Sequence, residues 1–322
     1  MNTTPFSSED EFLAAISARF PNEHPHMTLG RGDDCAVLDC PQSMALTTDL
    51  FVEDVHFRRS YFSPSDVGYK ALAVNVSDIA GMAGEPLGFS LGLAGPPDTP
   101  AAYWEGVLDG MAGLASSLNL PLVGGDLSAC AKIAIAVTIW GRQGPGGRFL
   151  KRGRAAARDV LFVVGEAGLA RVGLEALERF GPEAARDWPE AVAAHLRPVP
   201  RVEQGLLLGN MRGVRSLMDV SDGLARDLPR FLGPGLGANL AVDPSTLHPE
   251  VERWAKAAGR DPAALACLGG EDYALLGACA RQSFLDLYGH LPDAWPLGEV
   301  VAGGDILLHG EKLAPGFDHF AR

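Results

Sequence analysis

At 322 residues, of which 47% are hydrophobic and 21% charged, the chain can bury a full core. At about 150 residues per domain it is expected to form two domains. A net charge of −13 argues against a broad nucleic-acid or anionic-membrane surface, either of which needs a basic patch. An acidic chain that handles phosphates must recruit cations, and a divalent metal is the expected one.

The opening Met1-Asn-Thr-Thr-Pro is polar, with no basic or apolar leader, and no apolar run approaches the roughly 20 residues of a membrane span. A cytoplasmic protein is expected. The cysteines (Cys35, Cys40, Cys130, Cys267, Cys279) are scattered and lack zinc-site spacing, so no chemistry is assigned to them.

Ser8 with Glu11 reads as a capping box opening a helix that carries Phe12, Ile16 and Phe20 on one face. A Gly-rich turn with Asp33 and Asp34 follows. Met44 to Asp49 reads as a strand, with Asp49 where the strand runs out and His56 seven residues on. Ser65 is expected to cap a helix through Val67, Ala71, Val74 and Asp78. Asp78 lies four residues from Val74 and seven from Ala71, on the apolar face, so it should have a cation or hydrogen-bonding partner. Leu87 to Leu93 alternates like a strand, and Pro100 to Leu118 reads as a long helix. Pro121 to Asp126 reads as a short strand ending in a flexible Gly-Gly-Asp turn, and Lys132 to Gly141 is the clearest strand of all.

A Gly- and Arg-rich shift after Gly141 marks the expected domain boundary, with domains at 1–145 and 146–322. The second half opens on strand Val160 to Val164 and a helix from Leu169 to Phe180. Ser216 to Leu228 then reads as strand, Ser-Asp-Gly turn and helix, with Asp219 and Asp222 flanking Ser221 at a helix N-terminus. Asn239 to Val242 is an expected strand, Pro249 to Ala258 a helix, and Gly269-Gly-Glu271-Asp-Tyr leads into the apolar run from Ala274.

One acidic turn is uninformative, because Gly and Asp are good turn formers. Here they recur at Asp34, Asp49, Asp78, Asp126, Asp219/Asp222 and Glu271/Asp272, mostly at expected strand ends, where α/β sheets bind ligands. Carboxylates and hydroxyls are what Mg²⁺ accepts alongside phosphates, so several Mg²⁺ ions against a nucleotide triphosphate would account for the acids. The chain has no Walker loop, kinase Gly-rich loop set, HExxH or Gly-x-Ser-x-Gly motif.

Taken together, Gly32-Asp-Asp34-Cys-Ala-Val, Thr47-Thr-Asp49-Leu-Phe-Val-Glu-Asp-Val-His56-Phe, Lys70 to Asp78, Gly124-Gly-Asp126, Asp219-Val-Ser-Asp222-Gly, Gly269-Gly-Glu271-Asp-Tyr and Gly316-Phe317-Asp-His-Phe closely resemble the thiamine-monophosphate kinase family. That family belongs to the aminoimidazole-ribonucleotide-synthetase-like superfamily. The resemblance implies an α/β (α+β) fold of two domains, an N-terminal sheet pairing into an intersubunit β-barrel across a homodimer, and a C-terminal α/β sandwich. It also implies ATP-dependent phosphorylation of thiamine monophosphate to thiamine diphosphate. Carried over by position, Asp34, Thr47, Thr48, Asp49, Asp78, Asp126, Asp219 and Asp222 bind Mg²⁺, and Gly125, Asp126, Arg152 and Ser221 contact ATP. His56, Glu271 and Phe317 contact the thiamine phosphate.

On this basis Asp49, Asp126, Asp222 and Arg152 carry most of the rate by electrostatic stabilisation. The chain reads Leu150-Lys-Arg-Gly-Arg-Ala where the family has Leu-x-Arg-Ser-Gly-Ala, so Arg154 could share the role of Arg152. An aromatic nucleotide contact falls near Tyr103 or Trp104. Two other readings stand beside this one. The first is another ATP-dependent enzyme of the superfamily, such as a purine-biosynthetic or selenophosphate synthetase; the second is a non-catalytic nucleotide- or metal-binding protein.

Overall fold

A computed structural model describes residues 4–31, 35–40 and 42–316. The chain divides into two compact units, Met1–Ile79 with Glu85–Gln143, and Ala80–Gly84 with Gly144–Arg322.

The first unit contains α1 (Glu9–Arg19), the small pair β1 (Met27–Leu29) and β2 (Val37–Leu38), β3 (Met44–Val52), α2 (Pro64–Gly81), β4 (Gly84–Gly95), α3 (Ala101–Ser117), β5 (Leu122–Ala129) and β6 (Ala134–Gln143). Its main sheet has the order β3-β6-β4-β5, with β3 and β6 antiparallel and β4 and β5 parallel. Period-two alternation sorts β3 and β6 into two faces. Ala45 and Phe51 are buried with Ile135, Val137 and Ile139, whereas Leu46 and Leu50 stay 62% and 63% exposed. The buried face lies under α2, where Gly141 approaches Ile79. A Cβ at Gly68 would stand 1.8 Å from the Val107 carbonyl oxygen, and one at Gly110 would stand 1.9 Å from that of Ser65, so α2 and α3 cross at a contact that only glycine permits.

Three local expectations are corrected here. The cap of α2 is Ser63, whose hydroxyl accepts from the Asp66 N–H while the Asp66 carboxylate accepts from the Ser63 N–H and hydroxyl. Pro64 can then take the first helical position, where its missing N–H costs nothing. Asp49 is not at a strand end, because β3 continues through Val52 in unbroken register with β6. Gly124-Gly125-Asp126 is not a turn but the middle of β5, where Gly125 lies against the Leu91 carbonyl of β4 at a distance that excludes any Cβ.

The second unit carries β7 (Val160–Val164), α4 (Leu169–Phe180), α5 (Pro189–Leu196), α6 (Val202–Asn210), β8 (Val214–Val220), α7 (Leu224–Leu232) and β9 (Leu236–Leu240). It continues with α8 (Pro249–Ala257), α9 (Pro262–Leu268), β10 (Ala274–Cys279), α10 (Arg281–Tyr288), β11 (Ala294–Ala302), β12 (Ile306–Leu308) and β13 (Glu311–Lys312). A seven-stranded sheet runs β13-β12-β9-β11-β7-β10-β8, antiparallel except for the β12/β9 pair. Leu224, Leu228 and Phe231 of α7 are buried at helical spacing, as the sequence pattern requires.

Candidate active site

In the first unit, β3 presents Thr47 and Asp49 on the face that α2 covers. The Thr47 hydroxyl donates to the Asp78 carboxylate at 2.7 Å, so the acid on the apolar face of α2 has the hydrogen-bonding partner its position demanded. Asp49 lies two residues further along the same face. Burial raises its carboxyl above the ordinary carboxylate range, and no cationic side chain among the described residues pairs with it. A half-buried carboxylate of this kind suits a bound cation. Thr48 points to the opposite, exposed face, where its hydroxyl donates to the Val137 carbonyl at 3.0 Å and meets the Thr138 hydroxyl at 2.9 Å. Its side chain therefore cannot join a site on the Asp49 side of the sheet; only its main chain could.

Asp126 sits on β5, in register with Gly92 of β4, and accepts from the Ser128 hydroxyl at 3.0 Å. With β3 and β5 at opposite edges of the sheet, three strand spacings, roughly 14 Å, separate Asp126 from Asp49. His56 follows β3; its Nδ1 accepts from the Val52 N–H at 3.0 Å and its ring stacks on Phe51. Trp104 is core, packed on Phe12 and against Gly95. Tyr103 lies beneath the Arg59 guanidinium, and burial pushes its hydroxyl up to about 12. Asp34 and Phe317 lie outside the described residues.

In the second unit, β8 delivers Asp219, 8% exposed, and the chain then turns through Ser221-Asp222-Gly223 into α7. Gly223 adopts φ 94° and approaches the Gly269 carbonyl so closely that a Cβ would stand 2.2 Å from it. The Ser221 carbonyl accepts from the Glu271 N–H at 2.7 Å, which joins the two acidic turns. Unlike Asp49, Asp222 is paired: Arg230 reaches it at 2.8 Å and Arg226 at 3.3 Å. Lys151-Arg152-Gly153-Arg154 is exposed, with the Gly153 N–H bonded to the Phe231 carbonyl and the Arg154 N–H to the Ser216 hydroxyl. That tether holds Arg152 at the end of α7 opposite Ser221.

Sequence reasoning missed two groups here, Asp227 and His195, and gave no role of its own to a third, Asp272. Asp227, 1% exposed, accepts from the Asp222 N–H at 3.1 Å, and burial followed by repulsion from Asp222 raises it to about 6. It stands three residues from Leu224 and four from Phe231, so the helical-face argument used for Asp78 would have found it. Asp272 accepts from the Gly168 and Ala170 N–H groups at 2.7 and 2.9 Å and so caps α4. Burial lifts it to about 7 despite those bonds. His195 of α5 is 2% exposed with Nδ1 3.1 Å from Glu271 Oε2, a meeting of residues 76 apart that no local pattern announces.

Among the described residues no three His, Cys, Asp or Glu side chains converge into a metal-binding cluster. A cavity of about 610 Å³ in the second unit lies between Phe180, Trp188 and Trp254, and none of these groups lines it. In its polar lining Arg253 stacks on Trp188 and Arg186 pairs with Glu183.

The fold and the acid pattern together define the class. Residues 32–143 match the N-terminal domain of AIR synthase related proteins, and residues 157–310 match their C-terminal domain. HypE, a hydrogenase maturation protein, shares the fold at 18% identity with a TM-score of 0.73, over 95% of this chain and 98% of HypE.

Among curated relatives, the thiamine-monophosphate kinase of Mycobacterium tuberculosis (strain CDC 1551 / Oshkosh) is 35% identical over 88% of this chain and 83% of its own. That of Escherichia coli (strain K12) is 33% identical over 97% and 98%. The solved structure of AaThiL complexed with AMPPCP and TMP superposes with a TM-score of 0.79 at 30% identity, covering 97% of both chains. The chain belongs to the thiamine-monophosphate kinase family.

Proposed function

We propose that the chain transfers the γ-phosphoryl group of ATP to the phosphate of thiamine monophosphate, giving thiamine diphosphate and ADP. Kinship with thiamine-monophosphate kinases over nearly the full length of both chains carries this reading. The complex of AaThiL with AMPPCP and TMP supports the pairing of an ATP analogue with this acceptor.

The acceptor phosphate is already anionic at neutral pH, so the reaction needs no strong general base. It needs charge neutralised and an in-line approach enforced. Bound Mg²⁺ supplies that neutralisation, and Asp34, Thr47, Asp49, Asp78, Asp126, Asp219 and Asp222 are the side chains assigned to hold the ions, with Thr48 limited to its main chain. The half-buried carboxylate of Asp49, with no cationic side chain paired to it among the described residues, supports the assignment. Gly125, Asp126, Arg152 and Ser221 contact ATP. His56 binds the acceptor phosphate, Glu271 faces the cationic thiazolium or the aminopyrimidine, and Phe317 stacks on a thiamine ring.

The exposed apolar stripe of Leu46 and Leu50 supports pairing of the N-terminal sheet with that of a second copy into an intersubunit barrel, hence a homodimer. A cytoplasmic location accords with the described helices, none of which is long and apolar enough to cross a membrane. A coupled assay of ADP release with ATP and Mg²⁺ tests the activity. Turnover is expected with thiamine monophosphate and not with thiamine; no turnover with the monophosphate would overturn the proposal.

A further inference from the structure

Glu271 is fixed by its backbone on both sides. Its N–H is bonded to the Ser221 carbonyl at 2.7 Å, and the next residue, Asp272, caps α4 through Gly168 and Ala170. Glu271 itself sits at φ 65° and Tyr273 at φ 49°, left-handed conformations that non-glycine residues adopt only when their surroundings over-determine them. A backbone held so firmly is of use to a ligand only if the side chain is also held, because a glutamate has three rotatable bonds beyond its Cα.

One group that faces that side chain is His195. It comes from α5, which is pressed against α4 at a contact without room for a side chain: a Cβ on Gly173 would stand 2.0 Å from the Ala191 carbonyl oxygen and 2.9 Å from the His195 Cβ. This close crossing drives the imidazole into the interior, where it is 2% exposed and its Nδ1 lies 3.1 Å from Glu271 Oε2. The Glu271 side chain keeps 27% of its surface exposed. One partner is therefore buried, and the other reaches the surface. Burying a histidine costs free energy unless its ring meets a polar group, and here the Glu271 carboxylate stands at contact distance from Nδ1 without the angle of a good hydrogen bond.

We infer that His195 is a positioning residue for Glu271, holding its carboxylate in the rotamer that receives the positively charged or amino-bearing part of the substrate. The inference rests on the proposed role of Glu271 as a thiamine contact. His195 touches no substrate atom and acts only through the carboxylate. The discrimination it supplies is for the vitamin portion of the acceptor and not for ATP.

A double-mutant cycle reading KM for thiamine monophosphate, KM for ATP and the unfolding midpoint tests this. His195→Leu, which fills the volume without a polar atom, is expected to raise KM for thiamine monophosphate about ten-fold or more, the usual effect of removing a polar partner from a charged group. KM for ATP should move less than two-fold. Combined with Glu271→Gln, the second substitution should add little to the first, because both act through one carboxylate. If the two effects multiply, or if KM for both substrates rises together with a fall in the unfolding midpoint, His195 is only a packing residue and the inference is overturned.

Should His195→Leu not fold, His195→Gln takes its place in the cycle with the same criterion. Glu271→Gln alone separates the two levels of the argument. If it leaves KM for thiamine monophosphate unchanged, the reading of Glu271 fails and takes this inference with it. If it raises KM while the His195 variants do not, only the inference fails.

Discussion

Asp49 and Asp222 are both acids of the family pattern, and the protein treats them in opposite ways. Asp49 is half-buried on a strand face beneath a helix, with no cation among the described residues to pair with it, and its carboxyl is raised by burial. Asp222 stands at a helix N-terminus between two arginines of the helix it opens, Arg226 and Arg230. Under the proposed metal assignment, the first would take a cation from outside and the second would exchange one it already has. Metal dependence should then be felt first in the N-terminal unit, with Arg226 and Arg230 competing for the Asp222 oxygens in the C-terminal unit.

Removing the unpaired acid should have the largest effect. Asp49→Asn is expected to lower kcat/KM by roughly a hundred-fold or more, comparable to loss of a principal electrostatic stabiliser. It should do so without loss of the fold. Because burial raises the Asp49 carboxyl, the folded state holds its proton more tightly than the unfolded state. Its contribution is favourable at low pH and is lost as pH rises through the raised value. At neutral pH without metal, Asp49→Asn should accordingly raise the unfolding midpoint, and added Mg²⁺ should then stabilise the variant less than the wild type. A midpoint that falls in the variant would show that Asp49 is already satisfied by protein groups.

A smaller effect is expected at the paired acid. Arg230→Ala removes the 2.8 Å partner of Asp222, and a pair exposed to this degree is worth up to about 1 kcal/mol. The Mg²⁺ concentration giving half-maximal rate should fall, by no more than about five-fold. An increase would mean that Arg230 supports the metal site instead of competing with it.

The smallest effect concerns Asp272, an acid bound by the backbone alone. Burial lifts its carboxyl from 3.8 to about 7, so its favourable contribution is complete below about pH 4 and lost as pH rises through about 7. Asp272→Asn should flatten the pH dependence of the urea midpoint across that window. Asp227, raised to about 6, preserves part of the slope. The variant should also lose about 1 kcal/mol, because an amide has one acceptor oxygen for the two N–H groups of α4. An unchanged slope would show that another group titrates there.

What was legible in the sequence was what local periodicity encodes. The apolar stripe of α7, the alternation of β6 and the need of Asp78 for a partner all follow from spacings within a few residues. Gly124-Gly125-Asp126 reads as a turn in the sequence because glycine pairs usually mark turns. Here they let β5 lie against the Leu91 carbonyl, a contact between strands some thirty residues apart. The opposite orientation of Thr48 was legible, because alternation within the strand from Met44 to Asp49 puts it across from Thr47 and Asp49, but a ligand set carried over by position passes over that alternation. His195 and Glu271 meet only because α4 and α5 cross at Gly173, and nothing near either residue encodes that crossing.

The most direct test follows the γ-phosphorus itself, by phosphorus NMR of ATP, Mg²⁺ and thiamine monophosphate with the wild-type chain and with Asp49→Asn. The wild type should convert the γ-phosphate signal into that of thiamine diphosphate in step with ADP, and the variant should do so at a small fraction of the rate. Inorganic phosphate appearing in place of thiamine diphosphate, or equal rates for the two chains, would contradict the account.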